Sequence, residues 1–196
     1  MKRKNLYLAL ATLVISAPSW ANELDLEFIA EINEPTCNME ITNASGGTLT
    51  GDVAGGYTLT IPDIELDKIQ NKESGSEATF FLKPKDCQST TAVSTTISTQ
   101  ESVVAGSNLI VPLDVSDGKT KNIGMGFKRT STSGDTFVKP NDNTSKITWT
   151  APEFGSSTVQ GTGVPMTVAL RATTSTLGDL RVGTFSAKAT FNFNYE

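Results

Sequence analysis

Residues 183–195 read Gly-Thr-Phe-Ser-Ala-Lys-Ala-Thr-Phe-Asn-Phe-Asn-Tyr, followed by Glu196. One parity holds Gly183, Phe185, Ala187, Ala189, Phe191, Phe193 and Tyr195, and the other holds Thr184, Ser186, Lys188, Thr190, Asn192 and Asn194. Successive side chains on a strand point to opposite faces, so this stretch reads as a strand with one apolar and one polar face. A second alternation lies near the other end: Leu24, Leu26, Phe28, Ala30 and Ile32, separated by Asp25, Glu27, Ile29 and Glu31. Two one-faced strands at the two extremities raise the question of what each pairs with. The reading taken here is that they pair between molecules.

Residues 1–21 read as a leader rather than as part of the fold. Lys2, Arg3 and Lys4 form a positive head, and residues 6–17 form an apolar run too short to span a bilayer comfortably. Ser19-Trp20-Ala21 puts small residues where a signal peptidase needs them, so a secretory signal peptide cleaved after Ala21 is expected. The competing reading is a retained membrane anchor. Residues 22–196 are then one domain's worth of chain, long enough for a real core. The whole chain carries a net charge of −5, and losing the three positive head residues makes the remainder more acidic still. That surface argues against nucleic acid and against anionic membrane as partners.

Charged residues make up 19% and aromatics 7%, and no long stretch has clean helical periodicity. That balance favours strands and turns. Tyr57, Leu59 and Ile61 alternate up to Pro62. Residues 78–82 are apolar on both parities, the mark of a central strand. Residues 92–98 alternate weakly, and 109–115 is an apolar run that Pro112 assigns to an edge or bulge. Ile123, Met125 and Phe127 share a face, as do Ile147 and Trp149, and 164–172 is a long strand. Glycines at 46, 47, 51, 55, 56, 134 and 178 mark turns, and 64–72 is a short helix or a loop. Many short strands in an exported chain indicate an all-β sandwich without a second domain.

Cys37 and Cys87 are the two cysteines, and in an exported protein a lone pair reads as one disulfide. Closing such a loop restrains the unfolded chain by roughly 4 kcal/mol. A redox site is the alternative, but no Cys-x-x-Cys and no histidine is present to tune a thiolate.

The absence of histidine also removes Ser-His and Cys-His nucleophile pairs, the usual zinc sites and the commonest general base. No glycine-rich phosphate loop follows a strand, and no carboxylate pair stands out. Asn141-Asp142-Asn143 resembles a fragment of a calcium loop but lacks the following Gly and the distant Glu. No enzyme activity, cofactor or metal is expected.

In this setting the chain resembles the pilins of chaperone–usher fimbriae, the type 1 and P pilus subunits of Gram-negative bacteria. The residues that carry the resemblance are Phe28-Ile29-Ala30-Glu31-Ile32 followed by Pro35 and Cys37, then Cys87 after a hydrophobic strand. Ile123-Gly124-Met125-Gly126-Phe127 before Ser133-Gly134, and residues 164–173, follow in order. The closing stretch is the most specific: Gly183 fourteenth from the end, alternating apolar residues and the penultimate aromatic Tyr195.

The resemblance implies an incomplete immunoglobulin-like β-sandwich lacking its last strand and completed by a donor strand in trans. It divides the chain into a signal peptide (1–21), an N-terminal donor extension (22–36) and a pilin domain (37–196). Donor residues would be Leu24, Leu26, Phe28, Ala30 and Ile32. The acceptor and chaperone-binding strand would present Gly183, Phe185, Ala187, Ala189, Phe191, Phe193 and Tyr195. Implied partners are a periplasmic chaperone, an outer-membrane usher and neighbouring pilin subunits, with export through the periplasm to a surface fimbria that contributes to cell adhesion. Family extensions usually carry Gly where this chain has Ala30, so the added methyl demands a roomier pocket in the receiving subunit. Two alternatives stay open: a single-domain adhesin binding a host receptor through loops such as 131–136 and 141–145, and a domain that keeps 24–32 as its own first strand.

Overall fold

The computed structural model describes residues 24–28, 37–85, 87 and 92–195, with 24–28 described by its backbone pairing. The leader assigned to 1–21 lies outside the described residues. In chain order the strands are β1 (Leu24–Phe28), β2 (Asn38–Ser45), β3 (Thr48–Asp52), β4 (Gly56–Ile61), β5 (Glu77–Lys85) and β6 (Val93–Ser98). There follow β7 (Ser102–Val104), β8 (Leu109–Val111), β9 (Ile123–Arg129), β10 (Ile147–Trp149), β11 (Val164–Ala172) and β12 (Thr190–Tyr195). Three short helices interrupt them: α1 (Leu66–Gln70), α2 (Ala151–Phe154) and α3 (Ser157–Gly161). The strands form a six-stranded sheet in the order β2-β5-β11-β9-β8-β7 and two three-stranded sheets, β10-β6-β12 and β1-β4-β3.

The six-stranded sheet supplies one wall of the core. Ala78, Phe80, Leu82 and Pro84 are the buried parity of β5. Met166, Val168 and Leu170 of β11 lie beside them, and Met125 and Phe127 of β9 beyond. The opposing wall comes from Val93, Thr95 and Ile97 of β6, Trp149 of β10, and Phe191 and Phe193 of β12. Three rings stitch the walls together. Phe191 sits 5.9 Å from Phe80 and 5.2 Å from Phe127, and those two are 6.3 Å apart, all edge-to-face. Such pairs add about 0.5–1.5 kcal/mol each beyond the area they bury.

A smaller cluster of Leu109, Phe137 and Ala169 packs apart from the main core, so β9 is buried over 123–128. Gly126 makes that possible. A Cβ there would lie 2.5–2.7 Å from the ring of Phe137. The covering segment is fastened by Val138 N–H to the Phe127 carbonyl at 2.8 Å and by Asn108 Nδ2 to the Phe137 carbonyl at 3.1 Å.

Arg171 is a cation within this framework, its side chain only 4% exposed. Its Nε donates to Asp135 Oδ1 at 2.9 Å and its Nη1 to Ser76 Oγ at 2.8 Å, while Nη2 pairs with Glu77. Lys72 Nζ holds the other Asp135 oxygen at 3.0 Å. A buried charge persists only when it is paired and hydrogen-bonded, and this one is fully engaged. Burial of Asp135 acts to raise its pKa. The hydrogen bonds and charges of Lys72 and Arg171 outweigh that and hold the carboxyl below its ordinary value.

Several expectations shift. The apolar run 109–115 yields only β8, because Pro112 ends the pairing. β8 lies between β7 and β9 rather than at the edge, which β7 takes. The 64–72 stretch contains α1, with Ile69 buried. The short helices α2 and α3 carry no sequence periodicity, and each buries a single apolar residue, Phe154 and Val159. Cys37 and Cys87 form the disulfide that joins the start of β2 to the segment after β5.

Two outcomes follow from this packing. Gly126→Ala forces the Phe137 ring aside and should cost about 1–3 kcal/mol in urea unfolding. A carboxyl with a depressed folded pKa stabilises above its unfolded value of about 3.9 and loses that contribution as pH falls through the folded value. Asp135→Asn should therefore be less stable than the parent at pH 7, and the gap in melting temperature should narrow as pH falls below the unfolded value of about 3.9.

Candidate strand-acceptor edge

The C-terminal stretch alternates in burial along its whole length. Gly183, Phe185, Ala187, Ala189, Phe191 and Phe193 are buried, Tyr195 is half-buried, and the intervening residues are partly or fully exposed. The ladder, however, spans only β12, which pairs antiparallel with β6 from Thr190–Ser98 to Tyr195–Val93. The strand expected over 183–195 is thus a bonded strand over its last six residues and an extended, alternately buried segment before them. The reason is the length of the partner, since β6 ends at Ser98. Beyond it the Thr99 hydroxyl takes over, donating to the Lys188 carbonyl at 2.6 Å.

The direction of the main-chain groups follows from the same contacts. Ile97 gives its carbonyl to Asn141 N–H at 2.8 Å, and Thr99 N–H goes to Asn141 Oδ1 at 2.9 Å. The groups of Ile97 and Thr99 therefore point away from β12. In an antiparallel pair bonded and non-bonded positions alternate, so the bonded pairs are Thr190–Ser98, Asn192–Thr96 and Asn194–Ser94. Phe191 and Phe193, whose rings face the core, direct their main-chain groups to the second edge of β12.

The stretch is fixed at its start by a clasp. Lys119 and Thr184 form a parallel bridge and Lys121 and Arg181 an antiparallel one. The Arg181 guanidinium reaches across to the carbonyls of Lys119 and Ser116, each at 2.9 Å, and of Val115. Gly183 lies where the two segments meet. A Cβ on it would stand 2.5 Å from the Gly118 carbonyl oxygen, so glycine is required by close approach.

The extension also has a place in its own chain. β1 pairs antiparallel with β4 in the register Leu24–Ile61, Leu26–Leu59 and Phe28–Tyr57. Tyr57, Leu59 and Ile61 are the buried parity of β4, so three of the five expected donor positions stand opposite core-facing residues. Asp25 and Glu27 stand opposite Thr60 and Thr58. Ala30 and Ile32 lie outside the described residues. β4 was legible as a short strand from Tyr57, Leu59 and Ile61, but not as the strand that receives the extension. Nothing in local spacing specifies a partner.

Other residues singled out in the sequence have local roles. Asp142 Oδ1 accepts from Thr144 N–H at 2.9 Å and from Thr144 Oγ1 at 2.6 Å, and Oδ2 pairs with Lys139 at 2.9 Å. The Thr144 hydroxyl, then Lys139, hold its carboxyl well below the usual range, as expected for a polar turn. Among the described residues no cluster of three or more His, Cys, Asp or Glu is arranged to hold a metal ion. In the 131–136 loop, Asp135 belongs to the Arg171 network and the Gly134 carbonyl accepts from Lys128. Trp149 stacks on Phe193 at 6.1 Å. Burial pushes the Tyr195 phenol up to about 12, so it stays neutral at any physiological pH.

Comparison with known proteins agrees with this architecture. The family model for fimbrial proteins matches residues 28–196. The chain is 38% identical over 185 residues to an uncharacterized fimbrial-like protein, YadM, of Escherichia coli strain K12, covering 94% of this chain and 93% of that one. With an all-β sandwich of immunoglobulin-like type and a family match across nearly all of its described length, the chain belongs to the fimbrial protein family.

Proposed function

We propose that the protein is a structural pilin that polymerises by donor-strand exchange, with 22–36 as the donated extension and 183–195 as the receiving strand. The observation that carries this reading is the mismatch between burial and pairing in the C-terminal stretch. Its apolar parity is buried from Gly183 onward, while among the described residues its ladder with β6 covers just 190–195. An edge of this kind is an aggregation hazard unless another strand covers it. β-Strand addition covers it with main-chain hydrogen bonds for affinity and alternate side chains for specificity.

The extension supplies suitable side chains. Leu24, Leu26, Phe28 and Ile32 at roughly 1.5–3 kcal/mol each give a gross gain of about 6–12 kcal/mol. The ordering of the extension subtracts from it. Within this chain β1 pairs with β4, the arrangement expected of a domain that keeps 24–28 as its own strand. Donation to another copy then requires β1 to leave β4 first. In the periplasm a chaperone strand covers the edge, and at the usher the extension of the next subunit replaces it. Assembled in this way, the protein contributes to bacterial adhesion as part of a surface fimbria.

Removing residues 22–31 should leave chaperone binding intact and abolish donation. Co-purification with the chaperone, followed by incubation with a second chaperone-bound subunit, reads both. Docking of the truncated chain onto the subunit ahead would sink the idea. Phe193→Asp puts a charge on the core-facing parity of β12 and should reduce recovery of the chaperone complex at least about tenfold, in line with the cost of burying an unpaired charge. Undiminished recovery would count equally against the proposal.

A further inference from the structure

Of the aspartates in the chain only Asp117 is followed by glycine; the others precede residues that carry a side chain, and no asparagine precedes glycine. Asp117 and Gly118 are the middle of a β-turn closed by Lys119 N–H on the Ser116 carbonyl at 3.1 Å. Gly118 takes φ +82°, the left-handed conformation that such a turn reserves for glycine. A Cβ placed on Gly118 would meet nothing within 4 Å, so the turn has open space on that side. Among the described residues nothing accepts a hydrogen bond from the Gly118 N–H.

The Asp117 carboxyl is equally unconstrained. Its side chain is fully exposed, and its contact with Arg181 Nη1 is 3.7 Å long, beyond hydrogen-bond reach. Other aspartates differ. Asp52 Oδ1 accepts from the Ala54 and Gly55 N–H groups, Asp114 Oδ1 from Ser116 N–H and Asp142 Oδ1 from Thr144 N–H. Asp135 is held by Arg171 and Lys72. Each of those carboxyls would have to surrender a hydrogen bond before reacting with its own main chain. Asp117 would not.

We propose that Asp117-Gly118 is a site of spontaneous isomerisation, where an isoaspartyl link forms and loosens the clasp on the C-terminal stretch. The Gly118 main-chain nitrogen attacks Asp117 Cγ and a C–N bond forms. The carboxyl hydroxyl leaves with the amide proton as water, and the product is a five-membered succinimide. Water adding to its side-chain carbonyl restores aspartate. Water adding to its main-chain carbonyl leaves the chain running through Cβ and Cγ, one methylene longer. One water is lost and one regained, so no oxidant or cofactor takes part. The longer link falls inside the clasp. The Gly118 carbonyl accepts Thr184 N–H at 2.9 Å and would stand 2.5 Å from a Cβ on Gly183. The Ser116 and Lys119 carbonyls on either side are held by Arg181. Lengthening the chain between those two fixed points moves the Gly118 carbonyl off Thr184 and frees the start of 183–195. The chemistry does not depend on strand donation.

Ageing of the purified full-length protein at 37 °C tests the site. An isoaspartyl methyltransferase with a labelled methyl donor reads the modification, and electron-transfer fragmentation of the reduced tryptic peptide 86–119 locates it. Label should accumulate in the parent and map to residue 117. It should be lost in Asp117→Glu, which keeps a charge opposite Arg181 but cannot close a five-membered ring. Gly118→Ala, whose methyl enters open space, should slow it as well. The rate should fall as the buffer is raised from pH 5 to pH 8, because only the protonated carboxyl loses water. No label in the parent, equal label in Asp117→Glu, or label located elsewhere overturns the site.

Hydrogen exchange tests the consequence. In aged parent the Thr184 amide should exchange faster than in equally aged Asp117→Glu, because its acceptor has moved. The Val138 amide, held by the Phe127 carbonyl, should exchange alike in both. Unchanged exchange at Thr184 overturns the loosening of the clasp. Faster exchange at both amides reports general unfolding and overturns it equally.

Discussion

The wedge of Phe191 between Phe80 and Phe127 joins the two walls of this molecule. Phe80 and Phe127 stand on strands separated by β11, and Phe191 comes from β12 in the opposing sheet. Without that insertion the six-stranded sheet would face water over its most apolar patch. Ile97, directly across from Phe191, and Trp149, stacked on Phe193, extend the same contact outward. The integrity of the core thus depends on β12, which is held to β6 along its length.

This arrangement separates two properties that usually come together in a sheet. The apolar parity is buried from Gly183 to Phe193, whereas among the described residues the ladder with β6 spans only β12. Burial holds the segment in place, and the clasp of Arg181 on the 115–119 carbonyls sets where it begins. The Arg171 network serves a different purpose. It ties β11 to Glu77, Ser76 and the 135 loop, fixing the sheet that backs the core.

Much of the fold was legible because the alternation is strong. Tyr57, Leu59 and Ile61 mark β4, Ile123, Met125 and Phe127 mark β9, and residues 164–172 mark β11 as its full length. The failures share one cause. The run 109–115 looked like one element, but pairing ends at Pro112 and leaves Leu113 and Val115 exposed. The stretch 183–195 looked like one strand, but its ladder begins only at Thr190. Alternation reports which face a side chain takes. It does not report whether a neighbouring backbone is long enough to bond, nor that α2 and α3 form where single buried residues anchor short turns.

The sequence by itself determined the all-β class, the disulfide between Cys37 and Cys87, the one-faced character of both ends, and the family to which the pattern belongs. These are properties of composition and of period-two order, which the chain carries locally. Tertiary structure alone decided that β4 receives the extension within the chain, and that Asn141 turns the Ile97 carbonyl away from β12. It also decided that the 115–121 segment closes on Arg181. Each joins segments tens of residues apart, and no local preference specifies such a partner. It is chosen by the packing of the whole core.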